Sequence, residues 1–182
     1  YSSDFVSRGD GNGFKSGGYA KGRKPYNTVI ANYTPIPKNT IRFCLAVGNK
    51  QGGFYANHHL EGNYWHNNTA YNNKVNYDML NCLALNPIDF GTDGPGWNHK
   101  LINNLGFAAK AKELANIDKS RCVLKTNSFD LNVASSDFQS LDETFLMAPR
   151  QTDGSLPNTP FLKLASTSKL IDAGTNIKFP FK

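Results

Sequence analysis

Charge is scarce in this chain: Asp, Glu, Lys and Arg make up 19% of its 182 residues, against 39% hydrophobic. The pairing of high charge with low hydrophobicity that keeps chains disordered is therefore missing. The length suffices for one domain with a continuous core. Cysteine is scarce as well. Cys44, Cys82 and Cys122 are an odd set at wide spacing with no Cys-x-x-Cys pair, which removes the spacing that zinc or dithiol chemistry requires. They read as small buried apolar groups, with one disulfide as the alternative. No run of about 18 apolar residues is present to span a membrane. No secretory leader precedes the polar, Gly-rich opening at Tyr1, so a mature, trimmed or fragmentary chain is expected.

The formal net charge of +6 and pI of about 9.2 favour an anionic partner. Several cations gather near the start (Arg8, Lys15, Lys21, Arg23, Lys24). No Arg-rich helix or nucleic-acid motif accompanies them, so nucleic acid is not the expected partner.

Asn and Gly are abundant, with pairs at Asn67-Asn68, Asn72-Asn73 and Asn103-Asn104. Both residues tolerate the left-handed backbone that tight corners need, so the composition points to β structure with many bends. A weak internal repeat agrees. Segments beginning at Ile41, Trp65, Leu101 and Leu124 align so that Cys44, Asn68, Asn104 and Asn127 share a position, at separations of 24, 36 and 23 residues. Two similar spacings and one longer one fit a solenoid coil with one loop insertion, placed at Pro87 to Asn98, where Gly, Pro and Asn abound. Stacked coils at strand spacing of roughly 4.8 Å bury a shared apolar face. Asn68, Asn104 and Asn127 would then form a corner ladder of side-chain amides, a structural role rather than a catalytic one.

Gly13-Phe14-Lys15, Gly53-Phe54-Tyr55 and Asn76-Tyr77-Asp78 form a second alignment. The aromatic would stack inward and the next residue point outward, which places Lys15, Tyr55 and Asp78 on one surface stripe. After residue 133 the character changes. Ser136 to Gln139 reads as a helix start, with Ser136 as cap and Gln139 at the capping-box position. Turn signals follow at Pro149, Asp153-Gly154 and Pro157. The fold expected is all-β: a right-handed parallel β-helix over 1–133, with insertions at about 19–40 and 87–98, and an irregular C-terminal cap over 134–182.

The pieces Gly11-Asn12-Gly13-Phe14-Lys15-Ser16-Gly17-Gly18, Gly53-Phe54-Tyr55-Ala56-Asn57-His58, Asn67 to Asn73 with Asn76-Tyr77, Ala134 to Asp142, Ala148-Pro149-Arg150-Gln151 and Asp153-Gly154-Ser155-Leu156-Pro157 together resemble polysaccharide lyase family 9, which includes pectate lyases. The resemblance implies a secreted, periplasmic or cell-surface enzyme that cleaves uronate chains by β-elimination. It also implies a lysine base and a calcium ion held by aspartates. Lys15 occupies the position of that base. Arg8 would help lower its pKa or clamp a substrate carboxylate, and Tyr55, Asn57 and His58 would line the substrate groove. Tyr55 and Ala56 stand where an aspartate and a glutamine are usual, and His59 where an asparagine is. The calcium-binding aspartates are expected before the lysine, where this chain offers only Asp4 and Asp10. Asp10 is the metal candidate within the chain, and an upstream segment or companion chain would complete the site.

A lysine suits the task because its amine can be neutral, which an arginine's guanidinium cannot. His58 and His59, if in a strand, would face opposite sides and share no metal. Tyr55, Tyr64, Trp65 and Tyr71 could stack on sugars or pack in the core, and Trp97 in the long loop is the exposed aromatic expected. The partner expected is an acidic, polygalacturonate-like polysaccharide. A non-catalytic β-helix module binding acidic glycans is the alternative, and a structural adhesin would explain the fold but not the motif around Lys15.

Overall fold

In the computed structural model, residues 9–18, 37–82 and 93–178 are described. Within them the backbone never forms an α-helix. Thirteen short strands follow one another: β1 (Phe14–Lys15), β2 (Thr40–Arg42), β3 (Leu45–Val47), β4 (Gly52–Tyr55), β5 (Tyr64–His66), β6 (Thr69–Tyr71), β7 (Val75–Asp78), β8 (Asn81–Cys82), β9 (Asp93–Gly94), β10 (Lys100–Ile102), β11 (Leu105–Phe107), β12 (Lys112–Ala115) and β13 (Val123–Lys125). They assemble into three parallel sheets, ordered β1-β4-β7-β12, β2-β5-β10-β13 and β3-β6-β11. Each coil contributes one strand to each sheet in turn, which is a parallel β-helix. Strands β8 and β9 pair antiparallel beside it.

Both alignments read from the sequence are the observed registers. Ile41, Trp65, Leu101 and Leu124 are opposite one another across the second sheet. Phe14, Phe54 and Tyr77 are opposite one another across the first, and their rings stack at centroid separations of 5.0 and 5.1 Å. Leu114 continues that row, a member the sequence pattern did not reveal because no aromatic marks it. The third sheet presents Ala46, Ala70 and Gly106 at matched positions. They are small because the aromatic row fills the interior: a Cβ on Gly106 would lie 3.3 Å from the Tyr77 ring.

The corners account for the Asn content. Phe43, Asn67, Asn103 and Thr126 hold left-handed φ between 52° and 56° at the end of the second-sheet strands. One residue further on, the amides form the expected ladder. Asn68 accepts from the Cys44 N–H, Asn104 from the Asn68 side chain at 3.1 Å, and Asn127 from Asn104 at 3.0 Å. All three amides are buried, so each satisfies turn backbone that water cannot reach. A second polar row, unforeseen, runs Asn49 to Asn73 to Asn76 to the Glu113 carboxylate, with donor distances of 2.8, 2.8 and 2.6 Å. The cysteines are free thiols, Cys82 buried and the other two half-buried.

Three local expectations are corrected. Residues 83–92 and most of the 19–40 insertion lie outside the described residues, but 93–98 is not open loop. Asp93–Gly94 forms β9, Gly96 bridges to Ile117, and Trp97 is buried with the Arg121 guanidinium 4.9 Å from its ring. Trp65, for which sugar stacking and core packing were both open, is core, fully buried. His58 and His59 are not in a strand: they follow the end of β4, His58 with φ of 61°, and both are buried.

By compactness the chain divides into two units, residues 1–130 and 131–182. Within the second, Ser136 does not start a helix. A single 3-10 turn spans Ser135–Asp137, with Ala134 at its N-cap position. The Asp137 carboxylate, not Gln139, takes the reciprocal bond, accepting from the Ala134 N–H at 2.8 Å and from the Ser168 hydroxyl at 3.1 Å. Those donors hold its carboxyl below the usual range, the Ala134 bond foremost. The chain is extended again at Phe138, which bridges Leu164, and Gln139 is spent on the carbonyls of that neighbouring segment.

Candidate active site

Lys15 stands at the end of β1, where alternation turns its side chain outward while Phe14 packs inward. Its strand is held tightly. The N–H groups of Gly13 and Ser16 donate to the carbonyls of Gly52 and Tyr55. The buried Asn63 amide donates to the Ser16 carbonyl at 2.9 Å. Gly17 allows the next step of the chain to lie against the neighbouring coil: a Cβ there would be 2.1 Å from the Ala56 carbonyl oxygen. Lys15 is thus an exposed, long side chain on a short, well-anchored strand.

Tyr55 is its partner across the sheet, and the Lys15 ammonium lies 5.8 Å from the centre of its ring. One coil further, Asp78 pairs with Tyr55, so the stripe Lys15, Tyr55, Asp78 forms as the alternation requires. The Tyr55 hydroxyl is pushed up to about 12, chiefly by burial and then by the carboxylates of Asp78, Asp93 and Asp10. At neutral pH it is a hydroxyl that can donate and accept hydrogen bonds but carries no charge.

Asp10 is engaged by Lys15. Its carboxylate accepts from the Lys15 ammonium at 2.9 Å, and that bond holds its carboxyl below the usual range. His58 lies three residues past Tyr55, its Nε2 2.9 Å from the Asp93 carboxylate and its ring edge-on to Tyr55. Asn57, left-handed with φ of 50°, turns the chain between them. Arg8 lies outside the described residues. Four of the expected residues, Lys15, Tyr55, His58 and Asp10, are therefore in direct or one-step contact. Asn116 and Asp93 adjoin them and were missed, whereas Asp78 was expected on the stripe but not among the site residues. Asn116 donates to Asp78 at 2.8 Å, and burial raises the Asp78 carboxyl in spite of that bond. Asp93 is 35 positions from His58, a pairing no local pattern announces.

The fit to calcium can be judged from these carboxylates. Asp10, Asp78 and Asp93 each serve a different partner, and among the described residues no three His, Cys, Asp or Glu side chains converge on a point where an ion would sit. Calcium takes six to eight oxygen ligands. The described residues do not fit that centre.

Comparison with known proteins places this geometry. A family model described as the Pel9A-like right-handed β-helix region matches residues 2–104. "Pectate lyase L" of Dickeya dadantii is 34% identical over 178 residues, covering 96% of this chain and 35% of that protein. "Pectate lyase L" of Paenibacillus polymyxa is 32% identical over 177 residues, covering 93% and 32%. Among solved structures, a "Rhamnogalacturonan lyase" matches with TM-score 0.65 at 38% identity, over 72% of this chain and 31% of that one. Pectate lyase Pel9A matches with TM-score 0.65 at 30% identity, over 100% of this chain and 39% of that one. The chain spans about a third of the length of the curated relatives it matches. The matched model covers more than half of the chain and takes in strands β1 to β10, and the protein therefore belongs to the Pel9A-like right-handed β-helix family of polysaccharide lyase family 9.

Proposed function

We propose that this chain carries the lysine half of a polysaccharide lyase that cleaves a pectin-like, uronate-containing chain by β-elimination. The observation that supports it most is the placement of Lys15: the motif lysine is the exposed residue of a rigid strand, beside Tyr55 on an outward stripe. In the reaction, a neutral Lys15 Nζ takes the proton from the carbon next to the uronate carboxylate. The electron pair left behind forms a carbon–carbon double bond, the bond to the leaving sugar oxygen breaks, and that oxygen takes a proton from water, whose hydroxide then takes the proton from the Lys15 ammonium. The products are an unsaturated uronide and a free hydroxyl.

An ammonium paired with a carboxylate is not a base, so Asp10 must release Lys15 before the proton moves. Arrival of an anionic substrate beside Asp10 favours that release by like-charge repulsion. Tyr55, neutral at working pH, would hydrogen-bond the sugar or its carboxylate, and His58, held by Asp93, would shape the same end of the groove. A calcium centre for this reaction would be built by residues outside this chain, whether an upstream segment or a companion chain. Polygalacturonate is the substrate class in view, encountered outside the cell. Among the described residues no helix is long and apolar enough to cross a membrane.

The test is formation of unsaturated uronide from polygalacturonate, followed by near-UV absorbance with calcium present. Product is expected from the chain joined to an aspartate-bearing upstream segment. Lys15→Ala should lower its rate by at least ~100-fold, the scale of a lost general base. No product from the parent in that form sinks the reading. The Lys15–Asp10 ion pair favours a second reading, a module that binds acidic glycans without cleaving them. Binding with no turnover would establish that one.

A further inference from the structure

The outward side of the β2-β5-β10-β13 sheet carries chemistry that the Lys15 stripe does not use. Inward positions are Ile41, Trp65, Leu101 and Leu124, so the residues flanking them face out. Those outward positions include three exposed cations, Arg42, Lys100 and Lys125, and no carboxylate. Between the cations lie two rings, Tyr64 and His66, stacked at 5.9 Å. The ammonium groups of Lys38 and Lys100 each sit 5.5 Å from the centre of the Tyr64 ring. The Lys38 ammonium is engaged by the Asn98 carbonyl and the Glu61 carboxylate, so Lys100 is the cation at this ring that an incoming anion would meet.

A second observation concerns the corner beside this face. In three coils it holds Asn67, Asn103 and Thr126, and in the fourth it holds Phe43, at a left-handed φ of 54°. Asn adopts this conformation readily, whereas a bulky aromatic does so under strain. No burial offsets the strain, because Phe43 is 66% exposed. The Arg42 guanidinium lies 6.0 Å from its ring. An exposed ring with a cation beside it is the pairing that recognises an acidic sugar, the ring face meeting the sugar's C–H groups and the cation its carboxylate.

We propose that this face is an accessory binding site for an anionic polysaccharide, with Phe43 and Tyr64 as stacking platforms and Arg42, Lys100 and Lys125 as carboxylate partners. Successive strands are roughly 4.8 Å apart, so Arg42 and Lys125, three strands apart, span roughly 14 Å along the coil axis. That span suits an extended polymer with one carboxylate per sugar, lying along the sheet. The inference rests on the acidic-polysaccharide reading above, but it uses none of the residues assigned to the chemistry.

The experiment measures polygalacturonate binding by the full chain in a Lys15→Ala background, so that no polymer is cleaved, at about 0.1 M salt, where exposed charges are screened but not abolished. Two variants are compared with it. Lys100→Glu with Lys125→Glu reverses the charge of the face. Phe43→Asn removes the platform while installing the residue type the corner prefers, so its thermal midpoint should not fall. The double charge reversal is expected to weaken binding about ten-fold and flatten its salt dependence, and Phe43→Asn to weaken it about three-fold. Parent-like binding by both variants overturns the proposal. So does equal affinity of the parent for duplex DNA, which would mark the face as a general polyanion surface. Failure of the lyase reading is seen separately, as absence of unsaturated product with Lys15 intact. Loss of binding in the two variants supports the accessory site whether or not product forms.

Discussion

His99 offers a quantitative test of the interior. Its ring is buried, and its Nδ1 accepts two bonds, from the Asn63 N–H at 2.9 Å and the Trp65 indole N–H at 3.2 Å. A nitrogen that accepts twice carries no proton, so the proton resides on Nε2, which has no hydrogen-bond partner among the described residues. Protonating Nδ1 would break both bonds and leave a charge in the core. Burial, reinforced by Lys38 and His59, brings the pKa down from 6.5 to about 3. The folded pKa is thus below the unfolded one. Stability from this group is complete above pH 6.5 and is lost as the pH falls toward 3. At pH 5 the loss is about 2 kcal/mol, taking 1.36 kcal/mol per pKa unit over the interval from 6.5. For a chain of this size that corresponds to a fall in thermal midpoint of about 4–8 °C.

The matching perturbation is His99→Asn, whose side-chain oxygen can take the place of Nδ1 and accept from both donors. Denaturant midpoints of parent and variant, measured from pH 7 to pH 5, should diverge: the parent loses about 2 kcal/mol more than the variant. The pH interval stays above the carboxylate range, and His59, also lowered by burial, contributes to both proteins and cancels in the difference. Parallel curves would refute the assignment of a neutral, doubly accepting His99.

Two further substitutions probe the scaffold. Asn104→Ala leaves the Asn68 N–H and side-chain amide without their acceptor and removes a donor from the Trp65 carbonyl. It should cost at least ~3 kcal/mol, taking 1–3 kcal/mol per stranded buried group, whereas Asn103→Ala, one residue away at the left-handed corner, should cost about 1 kcal/mol. Chemical denaturation distinguishes them, and equal losses would contradict the ladder. Phe54→Ala removes the middle ring of the stack between Phe14 and Tyr77. It should cost about 3–5 kcal/mol, with Lys15 disturbed as well because its strand is paired to that of Phe54.

The coil registers were legible because a parallel β-helix superimposes equivalent residues, so spacing in the sequence becomes stacking in space. Asn68, Asn104 and Asn127 announced one ladder, and the aromatics Phe14, Phe54 and Tyr77 announced one row. The second ladder was hidden because Asn76 and Glu113 enter it from strands rather than from a repeated corner. In the candidate site, Lys15 and Tyr55 could be placed together from the alternation alone. The partners that tune them could not: Asp10 reaches back across a turn, and Asp93 reaches His58 from a segment whose composition reads as loop. Trp97 failed for the same reason, since Gly and Pro around it say nothing of the bridge from Gly96 to Ile117 or of the Arg121 guanidinium over its ring.

By itself, then, the sequence determined the architecture: left-handed corners demand Asn and Gly, and stacked interiors demand like residues at like positions. Tertiary structure alone decided which charges meet. Lys15 is held by Asp10, Lys38 and Lys100 crowd one ring, and His99 is kept neutral chiefly by its burial. Side-chain electrostatics depend on distances of a few ångströms between chain positions far apart, and those distances exist only once the coils have stacked.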